Sequence, residues 1–277
     1  MAGLRQIGHP IHLKTSISQL SKNQIQNKIL DPLWQHGTIC LKNQNLDVPE
    51  LKNLAESLGK THILPKNFTF GNNGEKTPEV IKIGNINPDG SIKKGFKGAE
   101  YWHHDGDFFN YPENQVINIL HTKIIPNQGG QTGFLDTTSP LINNVFSQTE
   151  LKKLKRSTLL VSVKNIADFE IQNENDVIPD VVHPVVNIHP FSGFQYLYLP
   201  FSPCGLYDTV EKKHWISNQE IIDKIINAGY MYQHQWEEGD VLIWDNLTMM
   251  HRSMGGYLDS ARLLLRIQSK YTNLEAQ

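Results

Sequence analysis

Cysteine is scarce in this sequence, which has only Cys40 and Cys204 among 277 residues. Two thiols could form at most one bridge, so the disulfide framework of small secreted domains is excluded. Cys40 lies in an apolar run at 38–41, which predicts a buried free thiol. The N-terminus lacks the apolar core of a signal peptide, and no apolar run approaches the ~18 residues of a membrane span. We therefore expect a cytoplasmic protein with no membrane partner.

Charge of one sign and nucleotide-binding glycine motifs are also lacking. The 26 Lys and Arg residues nearly balance the 28 Asp and Glu residues, and no basic run is long enough to indicate a nucleic-acid partner. The glycines at 71 and 74 are separated by two residues, where a phosphate-binding loop needs four. No G-x-G-x-x-G follows a predicted strand, and no serine occupies a G-x-S-x-G turn. A small-molecule substrate is the expected partner, and a homo-oligomer remains open.

The hydrophobic patterning predicts a mainly β protein with a few peripheral helices. Helices are predicted at 21–34, 47–58 and from the capping box at Ser217, and short strands dominate the rest of the chain. Strands are predicted at 37–41, 79–83, 115–125, 241–244 and 262–268. We expect a double-stranded β-helix (jelly roll, cupin-like) core, whose open end can hold a metal. No linker or repeat divides the chain, so residues 1–277 are expected to form one domain. The glycine-rich loop at 86–99 is either an active-site lid or a surface insertion.

A His-x-Asp pair is the main chemical signal. His103 and Asp105 are two residues apart, so on an extended segment both side chains leave the same face, while His104 points the other way. A second histidine, His251, follows the apolar strand at 241–244. Two histidines and one carboxylate can bind three positions on one face of an iron(II) ion and leave the others open. The three residues therefore indicate an oxygen-activating iron site.

Two arginines lie on a predicted strand near the end of the chain. Arg262 and Arg266 share a face with Leu264, while the residues between them alternate to the opposite face. If that shared face is the inner one, both guanidinium groups need an anion to pair with. Because ~13 Å of strand separates the two positions, one small carboxylate cannot serve both. The alternatives for Arg266 are a second anionic ligand and a salt bridge to an internal carboxylate, such as Glu100 or Asp107.

An ordered set of motifs between about Gly37 and Lys270 resembles the taurine dioxygenase (TauD/TfdA) family of Fe(II)/2-oxoglutarate-dependent dioxygenases. The matching segments are Trp102-His103-His104-Asp105, Gly129-Gly130-Gln131-Thr132, His183-Pro184-Val185-Val186, His189-Pro190, Gly193, Leu197-Tyr198, Gly239-Asp240, Trp244-Asp245-Asn246 and His251. In the second segment Gln131 replaces the aspartate that the family usually carries. The set covers most of the chain.

The resemblance implies a role for each aligned residue. His103, Asp105 and His251 are expected to hold Fe(II), while Arg262 and Thr132 bind the distal carboxylate of the co-substrate 2-oxoglutarate. Dioxygen is the second co-substrate, and the reaction oxidises a C–H bond of the substrate. Because Asp105 is present, the open coordination position that halogenating relatives use for chloride is not expected. Hydroxylation, desaturation and oxidative ring closure remain open.

The substrate is predicted less sharply than the iron site. Arg266 aligns with the position that holds the anionic group of taurine, which indicates a small anionic substrate, plausibly an amino-acid-like carboxylate. Taurine itself is not expected, because Leu64 and Asn67 replace the family's taurine-binding His and Tyr. Phe108 and Phe201 are candidate pocket residues; core packing is the alternative role for each.

Two rival functions use the same residues. The three ligands could hold zinc with an activated water and hydrolyse a substrate, or the chain could be a non-catalytic cupin-like binding protein. The arginine pair favours 2-oxoglutarate over the hydrolase. The complete ligand set argues against a non-catalytic relic.

Overall fold

Local capping signals decide where the helices begin. The computed structural model describes residues 4–63, 77–87, 89–93, 99–109, 115–162, 179–200, 204–257 and 260–271. Its helices are α1 (Lys22–His36), α2 (Val48–Leu58), α3 (Ser139–Val145), α4 (Gln148–Lys155) and α5 (Asn218–Asn227). Ser21, Asp47 and Ser217 each accept a hydrogen bond from the third helical residue, which confirms the predicted starts of α1, α2 and α5. No helix in these described ranges is long and apolar enough to cross a membrane.

Helix α1 runs past the predicted end at Trp34. It includes Pro32 and ends at His36, where Gly37 caps it with a positive φ of 72°. The proline removes one backbone donor, but Ile29 and Leu33 are fully buried on either side of it. Their packing against the sheet therefore outweighs the lost hydrogen bond and carries the helix through one further turn.

The strands follow the predicted segments with ends shifted by a residue or two. The described residues contain β1 (His9–Ile11), β2 (Thr38–Leu41), β3 (Lys60–Thr61), β4 (Ile81–Gly84), β5 (Val116–Ile124), β6 (Thr132–Asp136), β7 (Ser157–Val161), β8 (Val181–Pro184), β9 (Val186–Ile188), β10 (Gln195–Leu197), β11 (Gly205–Asp208), β12 (Lys213–Ser217), β13 (Met231–His234), β14 (Val241–Asp245), β15 (Met249–Ser253) and β16 (Leu263–Lys270). Strand β4 begins at Ile81 instead of the predicted Glu79, because Pro78 and Glu79 lie in a turn.

Two sheets facing each other form the expected jelly roll. The larger sheet has the order β1-β2-β14-β5-β16-β3, with β4 also paired to β16, and the smaller has the order β13-β6-β15. A third sheet, β12-β11-β7-β8, and the hairpin β9-β10 complete the described strands. Short corners connect β5 to β6 and β14 to β15, so each of these chain segments passes from one sheet to the other. The mainly β class with peripheral helices is confirmed.

Strand alternation divides the core into layers. In β14, Val241 and Ile243 pack with the α1 and α2 residues, whereas Leu242 and Trp244 pack with Phe134 of β6 between the two sheets. The same alternation in β16 sends odd-numbered residues towards the helices and even-numbered residues to the interior. Trp244 pairs with Asn118 on β5, and its ring lies 4.8 Å from that of His251 on β15, so the candidate site lies directly beside this apolar layer.

The cysteine prediction is confirmed, and two other predictions are not tested. Both cysteines are free and Cys40 is buried. The candidate lid at 86–99 falls partly outside the described residues; its described part turns back through an isolated bridge between Ile86 and Ile92. One domain over residues 1–277 stays a prediction.

Candidate active site

A backbone bridge brings the two predicted histidine ligands together. His103 lies outside the named strands, yet its N–H and C=O pair with those of His251 on β15 at 3.1 and 2.9 Å. The two ring centroids are 4.2 Å apart. The Nδ1–H of His103 donates to the Tyr101 carbonyl at 2.9 Å, which fixes the tautomer and leaves Nε2 with a free lone pair. Residues 148 positions apart in the chain thus present their rings side by side.

Asp105 completes the group. Its Oδ1 lies 3.9 Å from Nε2 of His103, and its Oδ2 lies 3.6 Å from Nε2 of His251. The three ligand atoms all lie within 4.8 Å of one another. The structure therefore brings together the three residues that the sequence singled out, and it leaves out the intervening His104. The His104 ring instead stacks on Tyr198 at 4.8 Å.

The protonation states suit a divalent metal. Burial lowers the pKa of His103 and of His251, and the nearness of each ring to the other adds to the effect at His251. Burial alone would raise the pKa of Asp105, but Arg266 and the two histidines outweigh it and hold that pKa well below its usual range. At neutral pH the site therefore presents two neutral imidazoles and one carboxylate. This donor set fits iron(II) without any prior loss of protons.

A second group of three metal-binding residue types is already internally paired. Cys40, His234 and Asp240 also lie within 4.8 Å of one another. However, Lys42 places its ammonium group 2.7 Å from Oδ1 of Asp240, and His234 lies 2.9 Å from Oδ2. Burial raises the pKa of the Cys40 thiol, so no thiolate is available. The lysine already supplies the cation of this cluster, which is a buried ion pair.

Arg262 is a buried cation next to the β5–β6 corner. Its side chain is 3 % exposed, its Nε–H donates to the Gly130 carbonyl at 3.2 Å, and its guanidinium lies 5.2 Å from the centroid of the Tyr257 ring. No carboxylate among the described residues lies within ion-pair distance of it. Gly130 has a φ of 76°, and a Cβ there would lie 3.2 Å from the Arg262 Nε. Glycine at this position permits both the turn and the close approach.

Thr132 opens β6 just beyond this turn and is 5 % exposed. The indole Nε1–H of Trp236 donates to the Thr132 hydroxyl oxygen at 3.2 Å. An oxygen that accepts from the indole keeps its own hydrogen available for another acceptor. The backbone N–H of Arg262 is in turn held by the Asn85 side chain at 2.9 Å. These contacts position the two residues predicted to bind 2-oxoglutarate.

Arg266 has an internal partner that the sequence analysis did not name. Its Nη1 lies 3.1 Å from Oδ1 of Asp105, so the carboxylate of the metal group, and neither Glu100 nor Asp107, is its described ion-pair partner. Its buried Nε has no hydrogen-bond partner among the described residues. The guanidinium therefore shares the metal-facing carboxylate and retains one unused donor. The predicted role in substrate binding stays a prediction.

The two predicted pocket phenylalanines have different outcomes. Phe108 is half-buried, lies 4.6 Å from the Phe109 ring and packs against the apolar cluster around Trp102 and Leu199. This contact is compatible with core packing and, because the residue lies three positions after Asp105, also with a place in the pocket, so its predicted role stays a prediction. Phe201 lies outside the described residues, so its predicted place in the pocket is not tested.

The sequence analysis did not assign a role to three buried amide side chains that surround Asp105. Asn246, Asn118 and Gln268 are at most 4 % exposed, and each contacts Asp105 directly or through another of the three. Gln268 continues the inner-face alternation of Arg266, so its position carried a signal in the sequence. Asn246 belonged to a recognised motif without a stated role. Asn118 lies among apolar residues in the first half of β5, and a buried amide there indicates a required partner.

The fold and the site together define a class of protein, a jelly-roll enzyme with a group of two histidines and one carboxylate at the edge of its interior. A family model described as "Taurine catabolism dioxygenase TauD, TfdA family" matches residues 3–268. The chain belongs to this family of 2-oxoglutarate-dependent dioxygenases and uses iron(II), 2-oxoglutarate and dioxygen. The family assignment decides against the hydrolase and the non-catalytic binding protein.

Individual relatives are distant in sequence. The (S)-phenoxypropionate/alpha-ketoglutarate-dioxygenase of Sphingobium herbicidovorans is 24 % identical over 67 % of this chain and 70 % of its own. The alkylsulfatase of Acinetobacter baylyi is 27 % identical over 93 % of this chain and 79 % of its own. The crystal structure of AAD-2 in complex with Mn(II) and N-oxalylglycine superposes with a TM-score of 0.78 at 15 % identity, covering 96 % of each chain. This last likeness is one of fold.

Proposed function

We propose that His103, Asp105 and His251 hold the iron(II) ion of this dioxygenase. The observation that carries the proposal is the convergence of two neutral imidazole nitrogens and one carboxylate within 4.8 Å. Iron(II) with dioxygen and 2-oxoglutarate supplies the oxidation of an unactivated C–H bond, with decarboxylation of 2-oxoglutarate to succinate. His103, Asp105 and His251 would hold the ion with three protein ligands and would leave its other coordination positions to the co-substrates. Which C–H bond is oxidised depends on how the substrate is held.

We further propose that Arg262 and Thr132 bind the distal carboxylate of 2-oxoglutarate. A buried guanidinium without a described carboxylate partner is costly unless an anion arrives to pair with it. The planar guanidinium suits a bidentate contact with a carboxylate. The Thr132 hydroxyl oxygen accepts a hydrogen bond from Trp236, so the hydroxyl hydrogen can be donated to the same carboxylate. The co-substrate would then be anchored at one end by these residues and at the other by the metal.

The substrate is proposed to be a small anion, such as an amino-acid-like carboxylate. Arg266 supports this class, because its Nε is buried and without a described hydrogen-bond partner while its Nη1 already faces Asp105. The relatives named for phenoxypropionate and for alkyl sulfate chemistry also act on compounds that carry an acidic group. Phe108 is proposed to line the same pocket. Hydroxylation, desaturation and ring closure are all outcomes that this arrangement permits.

Mn(II) binding and succinate formation test the metal assignment together. Free Mn(II) can be followed by its electron paramagnetic resonance signal, and, in separate samples loaded with Fe(II), succinate can be followed by its release from 2-oxoglutarate under air. We expect one Mn(II) per wild-type chain, and we expect Asp105→Ala to lose both Mn(II) binding and succinate formation while remaining folded, since the ion loses its only protein anion. His103→Gln should behave in the same way.

His104→Gln is the matched control for His103→Gln. The two histidines are adjacent in the same motif, but His104 stacks on Tyr198 and faces away from the proposed ion. Because the His104 ring also donates to the Asn246 carbonyl at 2.6 Å, its substitution should weaken Mn(II) binding far less than His103→Gln does, with one Mn(II) still bound per chain at saturation. Wild-type succinate formation by Asp105→Ala, or equal loss of Mn(II) in the two histidine variants, would contradict the assignment.

A further inference from the structure

A single side chain holds both backbone groups of the proposed iron ligand Asp105. The N–H of Asp105 donates to Oδ1 of Asn246 at 2.8 Å, and Nδ2 of Asn246 donates to the carbonyl of Asp105 at 2.8 Å. The amide therefore pairs with Asp105 as a neighbouring strand would. This matters because Asp105 lies in a turn, where a regular ladder of backbone hydrogen bonds does not fix its position.

Asn246 is itself fixed from several sides. It lies in the corner between β14 and β15, is fully buried, and its N–H donates to the Val116 carbonyl at 3.2 Å. Its carbonyl accepts from Nδ1 of His104 at 2.6 Å, and its Oδ1 also lies 3.3 Å from Nδ2 of Asn118. The corner that leads into the His251 strand thus also holds the turn that carries Asp105.

The carboxylate of Asp105 is oriented by a second pair of amides. Gln268 and Asn118 face each other across β16 and β5, and Nε2 of Gln268 donates to Oδ1 of Asn118 at 2.7 Å. The same Nε2 lies 3.2 Å from Oδ2 of Asp105. The two strands of the large sheet therefore fix the direction of the carboxylate, while Asn246 fixes its backbone.

We propose that Asn246 is a positioning residue for the metal site, and that Asn118 and Gln268 orient the carboxylate that it positions. The inference rests on the proposed function, in which Asp105 binds iron. A hydrogen-bonded partner that orients a metal ligand typically changes metal affinity by ~10–100-fold when it is lost. A role confined to folding would instead change stability and leave the affinity of the folded protein as it was.

The test compares Asn246→Ala with Asn218→Ala, a matched substitution at a second buried asparagine. Asn218 is 2 % exposed, and its amide also bridges two backbone segments, donating to the Pro200 carbonyl at 2.7 Å and accepting from the Cys204 N–H at 3.1 Å. Mn(II) affinity and thermal unfolding of the full chain would be measured for both variants, at a temperature where near-ultraviolet circular dichroism shows both to be folded. We expect both to unfold at lower temperature, but only Asn246→Ala to bind Mn(II) ~10–100-fold more weakly.

The outcomes separate this inference from the assignment beneath it. Wild-type Mn(II) affinity in folded Asn246→Ala would overturn the positioning role, and so would equal weakening in Asn218→Ala. If Asn246→Ala does not fold, Gln268→Met is the deciding variant. It removes the donor to Oδ2 of Asp105 but keeps the side-chain volume. An unchanged Mn(II) affinity in Gln268→Met overturns the proposal. Unchanged Mn(II) binding in Asp105→Ala would instead refute the proposed iron ligand.

Discussion

Replacing Arg262 by Met should weaken 2-oxoglutarate binding strongly while leaving the stability of the protein without ligands nearly unchanged. The substitution removes a charge that is 3 % exposed and has no carboxylate partner among the described residues. It forfeits the Nε–H bond to Gly130 and the contact with Tyr257, each worth about 1 kcal/mol. It also removes the cost of keeping a desolvated cation, which is of similar size or larger. We expect a net change within about 1 kcal/mol.

The effect on the co-substrate is larger. A charge-assisted contact between a guanidinium and a carboxylate is worth ~1.5–3 kcal/mol, so the dissociation constant should rise by roughly one to two orders of magnitude. In wild type, 2-oxoglutarate at ~100 times its dissociation constant should stabilise the protein by ~2.7 kcal/mol. The same concentration should stabilise Arg262→Met by only ~0.4–1.4 kcal/mol.

Chemical denaturation measures both quantities: the metal-free protein gives the stability without ligands, and the Mn(II)-loaded protein with and without 2-oxoglutarate gives the stabilisation by the co-substrate. Arg262→Lys is the control for charge alone; it should not restore full affinity, because the ammonium lacks the planar fork and the Nε–H that reaches Gly130. The reasoning fails if Arg262→Met loses several kcal/mol without ligands and retains the full stabilisation by 2-oxoglutarate. Arg262 would then be a structural residue.

Two further predictions concern Arg266 and His104. A screen of succinate release among small carboxylates, sulfonates and amino acids would first identify a substrate. Arg266→Gln should then raise the KM for that substrate at least ~10-fold, because one charged contact is lost. The KM for 2-oxoglutarate should stay nearly unchanged. An unaltered substrate KM with lower thermal stability would assign Arg266 to its ion pair with Asp105 alone. Burial lowers the pKa of His104 to about 4, so the unfolded chain gains a proton below about pH 6.5 and the folded chain does not. The contribution of His104 to the free energy of unfolding should therefore be fully present above that pH and fall by up to about 3 kcal/mol towards pH 4. The measurement is denaturation of the metal-free protein as a function of pH. Equal slopes of unfolding free energy against pH in wild type and His104→Gln would contradict the prediction.

The elements that could be predicted are those set by short stretches of sequence. The starts of α1, α2 and α5 depend on a capping residue and the residue three positions later, so Ser21, Asp47 and Ser217 were sufficient to place them. The His-x-Asp pair was visible as a short local motif, although Asp105 lies in a turn and not on the extended segment that was assumed for the pair. Helix α1 was predicted through Pro32 to about Trp34, and only its last two residues, up to His36, were left out.

The partners within the site could not be predicted, because they are separated by most of the chain. Asn246 and Asp105 are 141 positions apart, and Arg266 and Asp105 are 161 apart. Alternation along β16 placed Arg266 and Gln268 on one face, which the structure shows to be the inner one. It could not say that both would meet Asp105, because that requires the register of β5 against β16 and the corner between β14 and β15.

The balance of charge favours an anionic substrate with a single negative charge. Of the groups discussed above, Arg262 and Arg266 carry one positive charge each, Asp105 carries one negative charge, and the two histidines are neutral because burial lowers their pKa. Iron(II) adds two positive charges, and 2-oxoglutarate returns two negative ones. One positive charge then remains on the side of Arg266, in a site where an unpaired charge is costly. A monoanion would complete the balance, whereas a neutral amide or ester of the same substrate would leave Arg266 with only the carboxylate that it already shares with the metal.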